Sequence, residues 1–148
     1  NFLKNDKSFY PIIIGSTTVS HDKDLVKELK ENNINIIDTY LPRIDEYYKA
    51  ADCYLFPTIN SHSCIQVPLS VIEALACGLP IISSKFEGLP FYFDHDYNIK
   101  YLNSFHNIND EINNILSKDA IYNNGINKFS WNNISSQMLE FYSKLIDG

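Results

Sequence analysis

The chain is short of several things. It has one arginine, Arg43, among twelve basic side chains, and eighteen acidic residues leave a net charge of −6. No Lys/Arg cluster appears. Nucleic-acid binders usually carry a basic face and anionic membranes attract polybasic segments, so no nucleic-acid partner is expected. Cysteine is scarce too: Cys53, Cys64 and Cys77 are an odd number and include no CxxC pair. That argues against a zinc site and against a disulfide framework. Cys53 and Cys77 lie in apolar runs and read as buried thiols in a reducing, cytoplasmic setting. No apolar run approaches the ~18 residues of a membrane span, and residues 1–7 show no apolar signal-peptide core. The first residue is Asn1 rather than Met, and the expectation is a piece of a longer chain.

What is present is a globular composition: 45% apolar, 14% aromatic and 20% charged. This excludes a disordered, collagen-like or purely coiled-coil chain. A length of 148 residues suits one domain, residues 1–148, with a sizeable core. Short apolar runs bounded by turn residues read as buried strands at Tyr10 to Gly15, Ile34 to Asp38, Cys53 to Phe56 and Pro80 to Ser83. Between them lie helical stretches at Asp22 to Glu31, Arg43 to Ala50 and Pro68 to Cys77. Alternating strands and helices, with strands apolar throughout, predict one doubly wound parallel α/β sheet covered on both faces.

After Ser83 the pattern changes. Lys85 to Asn98 is rich in Gly, Pro, Asp and aromatics and reads as loop; Ile99 to Leu102 reads as a short edge strand. Helices are expected at Ile108 to Leu116, Asp119 to Asn127 and Trp131 to Ile146. In the last, Trp131, Ile134, Met138, Phe141 and Leu145 recur at three and four, a stripe expected to be core, with Ser130 as N-cap.

The segment Phe56 to Pro90 carries the chemistry. In the helix Pro68-Leu69-Ser70-Val71-Ile72-Glu73-Ala74-Leu75-Ala76-Cys77, Pro68 suits the first helical position and Gly78 a left-handed C′. Apart from Ser70 and Glu73 the helix is apolar on every side, so it is expected to be buried. A buried carboxylate costs several kcal/mol unless paired or hydrogen-bonded. One reading satisfies Glu73 locally, as a capping box with Ser70. The other turns Glu73 toward the crevice at the strand C-termini, where doubly wound sheets bind ligands. There a carboxylate suits vicinal ribose hydroxyls, and the free N–H groups of Leu69 and Ser70 suit a diphosphate.

Two runs, Tyr47-Tyr48-Lys49-Ala50-Ala51-Asp52-Cys53-Tyr54-Leu55-Phe56-Pro57 and Val67-Pro68 through Glu73 to Gly78-Leu79-Pro80-Ile81-Ile82-Ser83, resemble the C-terminal donor-binding domain of family-4 (group 1) glycosyltransferases. Glu87-Gly88-Leu89-Pro90 and the closing Phe129-Ser130-Trp131 helix resemble that family as well. The resemblance implies a retaining enzyme of the two-Rossmann (GT-B) type, of the hexosyltransferase kind. Its Rossmann-like donor half would bind a nucleotide-diphospho-sugar, and a separate N-terminal acceptor domain would belong to the same chain. It implies no cofactor and no obligatory metal, and allows peripheral membrane association of the parent enzyme. It assigns Glu73 to the ribose and the amides near Pro68, Leu69 and Ser70 to the diphosphate. The loop Thr39-Tyr40-Leu41-Pro42 takes the base, and Ser61 to Val67 lies beside the donor sugar.

The sequence departs from the family at two places. The first glutamate of the family's pair would fall at Ile65, leaving His62, Ser63 and Gln66, with Ser61, as substitute sugar-side candidates. The opening strand, Gly-Arg turn and diphosphate-gripping Lys of the family's domain have no counterpart ahead of Tyr10. Asp94-His95-Asp96 is a D-x-D triplet that reads as a solvated turn rather than a metal site. The reading from a different class is a non-catalytic nucleotide-sugar-binding or scaffold domain, motivated by Ile65. An unrelated doubly wound regulator domain is a weaker third.

Overall fold

The computed structural model describes residues 8–15, 23–32, 34–60, 64–93, 98–117 and 124–146. The strands are β1 (Ile12–Ile14), β2 (Asn35–Ile37), β3 (Tyr54–Phe56), β4 (Ile81–Ser84) and β5 (Ile99–Leu102). The helices are α1 (Lys23–Glu31), α2 (Ile44–Ala50), α3 (Leu69–Ala76), α4 (Leu89–Tyr92), α5 (Ile108–Leu116) and α6 (Trp131–Ile146), with a 3₁₀ helix over Asn124–Phe129. Every strand pairing is parallel, so the chain is an α/β protein of Rossmann-like type.

The best-built part is the sheet β3-β4-β5, in which Tyr54, Ile81 and Ile99 stand side by side, then Leu55, Ile82 and Lys100, then Phe56, Ser83 and Tyr101. Side chains alternate between the two faces. Tyr54, Phe56, Ile81, Ile99 and Tyr101 pack with Tyr48, Val71, Ala74, Leu75, Leu89 and Phe93. Leu55, Ile82 and Leu102 turn the other way, onto Ile108, Ile112 and Ile115 of α5. Lys100 shares that second face and pairs with Glu111 of α5. Both faces are covered, which is why Ile81 and Ile82, neighbours in sequence, are both fully buried.

The expected single sheet is corrected to two. β1 and β2 pair with each other and form a separate two-stranded sheet, with α1 against β2. Ile12, Ile13 and Ile14 therefore remain 48%, 38% and 37% exposed, although their run reads as a buried strand. On its free edge β1 has no strand partner among the described residues. Phe9, packed against the Ile82 cluster, ties this end of the chain to the larger sheet.

Other expectations are corrected in detail. A short helix, α4, interrupts the stretch expected to be loop. The helix expected at Asp119 to Asn127 is, in its described part, the 3₁₀ helix Asn124–Phe129. α6 has the expected bounds, and the Ser130 hydroxyl accepts from the Asn133 N–H at 3.3 Å as an N-cap. Its stripe is not core: Trp131 is 86% exposed and Leu145 63%, and the main packing of α6 among the described residues is against the 3₁₀ helix. Periodicity tells which side chains share a face, not what lies across from it. Likewise Phe93 is buried while Phe91 and Tyr92 are exposed. Cys53 and Cys77 are half-buried rather than buried, and burial pushes the Cys53 thiol up to about 11.

Candidate functional site

Parallel strands place their C-terminal ends on one side, and that rim is where ligands meet doubly wound sheets. On the rim of β3-β4-β5 the backbone is pinned. The Ser84 hydroxyl donates to the Thr58 carbonyl, joining the ends of β4 and β3. The fully buried Ser83 hydroxyl donates to the Ser84 carbonyl at 2.8 Å.

The turn after β4 then clamps the loop that enters α3. Glu87 sits at φ +40°, a left-handed conformation that L side chains adopt at a cost of roughly 1–2 kcal/mol. Next to it the Gly88 N–H donates to the Gln66 carbonyl at 3.2 Å. A Cβ on Gly88 would come within 3.2 Å of a Val67 methyl and 3.4 Å of the Gln66 oxygen. Glycine lets the two segments approach closely here without displacing Val67, and the approach places residues 66 and 67 immediately ahead of the helix.

α3 begins after Pro68, which is the N-cap rather than the first helical residue, and no side chain caps it. The Leu69 and Ser70 N–H groups belong to the first turn, whose donors have no intrahelical acceptor. At the other end Gly78 is left-handed at φ +77°. Its N–H reaches the Leu75 carbonyl and that of Leu79 the Ala74 carbonyl, both at 3.0 Å, the Schellman pattern.

The expectation of a helix buried all round is corrected. Val71, Ala74 and Leu75 face the core, whereas Leu69 is 63% exposed and Glu73 and Ala76 are exposed. The capping box is absent as well, because α3 starts two residues too early for Ser70 to be its N-cap. Glu73 instead accepts a hydrogen bond from the Tyr48 hydroxyl at 3.2 Å, linking α3 to α2. Tyr48 is 7% exposed and packs edge-on against Tyr54, with ring centroids 5.8 Å apart. Burial, then the neighbouring Tyr54 and Glu73, push the Tyr48 phenol well above its ordinary value, so it is a hydrogen-bond donor across the physiological range. Burial also raises the Tyr54 phenol, an effect the Ser70 hydroxyl opposes.

Of the expected site residues, Pro68, Leu69, Ser70 and Glu73 are brought together on α3 and its entry. Gln66 is exposed, with its carbonyl engaged by Gly88, and Ile65 is 61% exposed. Tyr40, Leu41 and Pro42 follow β2 and lead into α2; Tyr40 is 80% exposed, and their tie to Glu73 runs through α2. Ser61, His62 and Ser63 lie outside the described residues, as do Asp94, His95 and Asp96. Among the described residues no group of three His, Cys, Asp or Glu side chains is placed to hold a metal ion, and no helix is long and apolar enough to cross a membrane. The lone arginine is engaged at the start of α2, where it pairs with Asp45 and Glu46.

Sequence reasoning missed Tyr48, Ser84 and the strained Glu87. Only Tyr48 had a signal. Ile44 and Tyr48 are four apart on one face of an amphipathic helix, and a buried tyrosine needs a partner for its hydroxyl.

Comparison with known proteins fits this geometry. Residues 2–129 match the family described as "Glycosyl transferases group 1". A stretch of 55 residues is 33% identical to an amylovoran biosynthesis glycosyltransferase, AmsK, of Erwinia amylovora; it makes up 36% of this chain and spans 14% of that relative.

Proposed function

The chain belongs to the group 1 glycosyltransferases, and from that premise we propose that it is the donor-nucleotide domain of a retaining enzyme of family 4 with the two-Rossmann GT-B architecture. The parent enzyme moves a hexosyl group from a nucleotide-diphospho-sugar to a hydroxyl acceptor. A second, N-terminal domain of the same chain holds the acceptor. The observation that carries this reading is Glu73: an exposed carboxylate, one turn past the uncapped start of the helix that follows β3. Its charge suits the vicinal hydroxyls of a ribose, while the Leu69 and Ser70 N–H groups and the helix dipole suit the diphosphate. Tyr40, Leu41 and Pro42 contribute to the base pocket. Catalysis rests on positioning and on stabilising the departing diphosphate, without an obligatory metal or cofactor.

The break between the two sheets is consistent with the same architecture. In a doubly wound sheet of order 3-2-1-4-5-6 the first strand lies between the second and the fourth. If β1 to β5 hold places two to six, place one falls between β1 and β3, where the pairing stops. We propose that a preceding stretch of the parent chain fills it.

The test is Glu73→Gln in the full-length enzyme, titrated with UDP, GDP and ADP. The substitution keeps the shape and weakens charge-assisted bonds, which are about twice as strong as neutral ones. Affinity for the bound nucleotide is expected to fall roughly ten- to hundredfold, or on the order of 1–3 kcal/mol, with melting temperature unchanged. Earlier melting with unchanged affinity refutes the assignment. Ile65 favours a second reading, a nucleotide-sugar-binding domain without turnover. At the place of the family's first glutamate stands an exposed side chain with no polar atom. Nucleotide-sugar binding without sugar transfer or donor hydrolysis in the full-length protein would select it.

A further inference from the structure

The carboxylate of Glu73 is exposed and yet not free to turn. A glutamate on a helix surface ordinarily samples several rotamers, and fixing it on binding costs side-chain entropy. Here Oε2 is held at 3.2 Å by a hydroxyl whose ring is itself immobilised, 7% exposed and edge-on to Tyr54. The donor sits on α2 and the acceptor on α3, so the bond also fixes the carboxylate relative to the helix that continues from Tyr40, Leu41 and Pro42. An ionised carboxylate has about four lone-pair sites, so one bond from Tyr48 leaves capacity for two hydroxyl donors.

We propose that Tyr48 is a positioning residue of the nucleotide site, holding one oxygen of Glu73 so that the carboxylate is already oriented for the two ribose hydroxyls of a nucleoside diphosphate. The inference rests on the ribose reading of Glu73 and adds to it a requirement for preorganisation. Ordering Glu73 before the ligand arrives removes that cost from binding. Burial keeps Tyr48 a donor rather than a phenolate beside the carboxylate.

The experiment uses the full-length enzyme with Tyr48→Phe and Glu73→Gln. Calorimetry is run with whichever of UDP, GDP and ADP binds tightest to the unaltered enzyme, and with its 2′,3′-dideoxy counterpart. Tyr48→Phe removes one oxygen and keeps the ring that packs on Tyr54. It is expected to weaken the ribonucleotide about three- to tenfold, the worth of one hydrogen bond, and to leave the dideoxy ligand unaffected. Glu73→Gln is expected to show the same selectivity with a larger loss. Equal weakening of both ligands by Tyr48→Phe overturns the proposal in favour of a merely structural tyrosine. If Glu73→Gln weakens the ribonucleotide selectively while Tyr48→Phe changes nothing, positioning by Tyr48 fails and the ribose reading stands. If Glu73→Gln leaves ribonucleotide affinity unchanged, both fall.

Discussion

The sheet β3-β4-β5 and the pair β1-β2 are made of similar sequence and differ in fate. Pro80-Ile81-Ile82-Ser83 and Pro11-Ile12-Ile13-Ile14 are nearly the same words. In the first, Ile81 and Ile82 are fully buried, one under α3 and the other under α5. In the second, all three isoleucines keep more than a third of their surface exposed. An apolar β-branched run specifies a strand, but burial is conferred by neighbours. β4 has a strand on either side and helices on both faces, whereas β1, among the described residues, has one strand partner and an open edge. The candidate site lies on the well-covered side, where Ser84 and Gly88 pin the strand ends and the loop into α3, and the Tyr48–Glu73 bond ties α2 to α3.

The largest effect should separate Ile82 from Ile13. Truncating a fully buried isoleucine to alanine costs about 2–5 kcal/mol, from lost transfer free energy and the cavity left behind. Ile82→Ala is therefore expected to lower unfolding stability by that amount in urea titrations of this chain. Ile13, 38% exposed at an open edge, should lose about 1 kcal/mol or less on the same change. Equal losses at the two positions would show that the smaller sheet is as well packed as the larger.

A smaller effect tests whether the open edge is an intended seat. In a longer piece of the parent chain that includes the preceding segment, a parallel strand between β1 and β3 would give both of them new partners. Two or three added backbone bonds, each worth about 1 kcal/mol net, raise amide protection by roughly thirty- to 150-fold. Hydrogen exchange at Ile12–Ile14 and Tyr54–Phe56 reads this directly, with β5 as the internal control. Unchanged protection at β1 and β3 would mean that the two sheets are separate by design.

Much of the fold was legible because it is written locally. The order of strands and helices follows from apolar runs and their spacing, and Gly78 marked the end of α3 because only a left-handed residue closes a Schellman turn cheaply. Glu73 stands out in the sequence as the one carboxylate of an apolar helix, but its surroundings do not: it is exposed and bonded to a tyrosine 25 residues away. That partner was only half legible: the Ile44/Tyr48 spacing marks a core-facing ring whose hydroxyl needs a partner, but nothing local says that the partner is Glu73. The exposure of the Trp131 to Leu145 stripe was illegible for a similar reason. Sequence gives a helix its faces, and only the surrounding chain decides whether one of them is covered.

The smallest effect concerns α2, the helix that carries Tyr48 to the site. Its buried side is Tyr48; on its outer side Asp45 accepts from Arg43 at 3.2 Å and from Lys49 at 2.8 Å. The hydrogen bond from Arg43, then that from Lys49, hold the Asp45 carboxyl down at about 2, from an ordinary 3.8. A carboxyl depressed in the folded state adds stability that is fully present above the unfolded value. That stability is lost as pH falls through the folded one, so the window here is pH 4 down to 2. The pairs are solvent-exposed, hence screened, and the effect is small and should shrink further in 1 M salt. The measurement is the melting temperature of the unaltered chain minus that of Asp45→Asn, followed against pH. The difference should be constant above pH 4, decline between 4 and 2, and vanish below. A difference independent of pH across that window would mean that Asp45 acts through helix-start hydrogen bonding that asparagine reproduces, and that its ion pairs contribute nothing to holding α2, and with it Tyr48, in place.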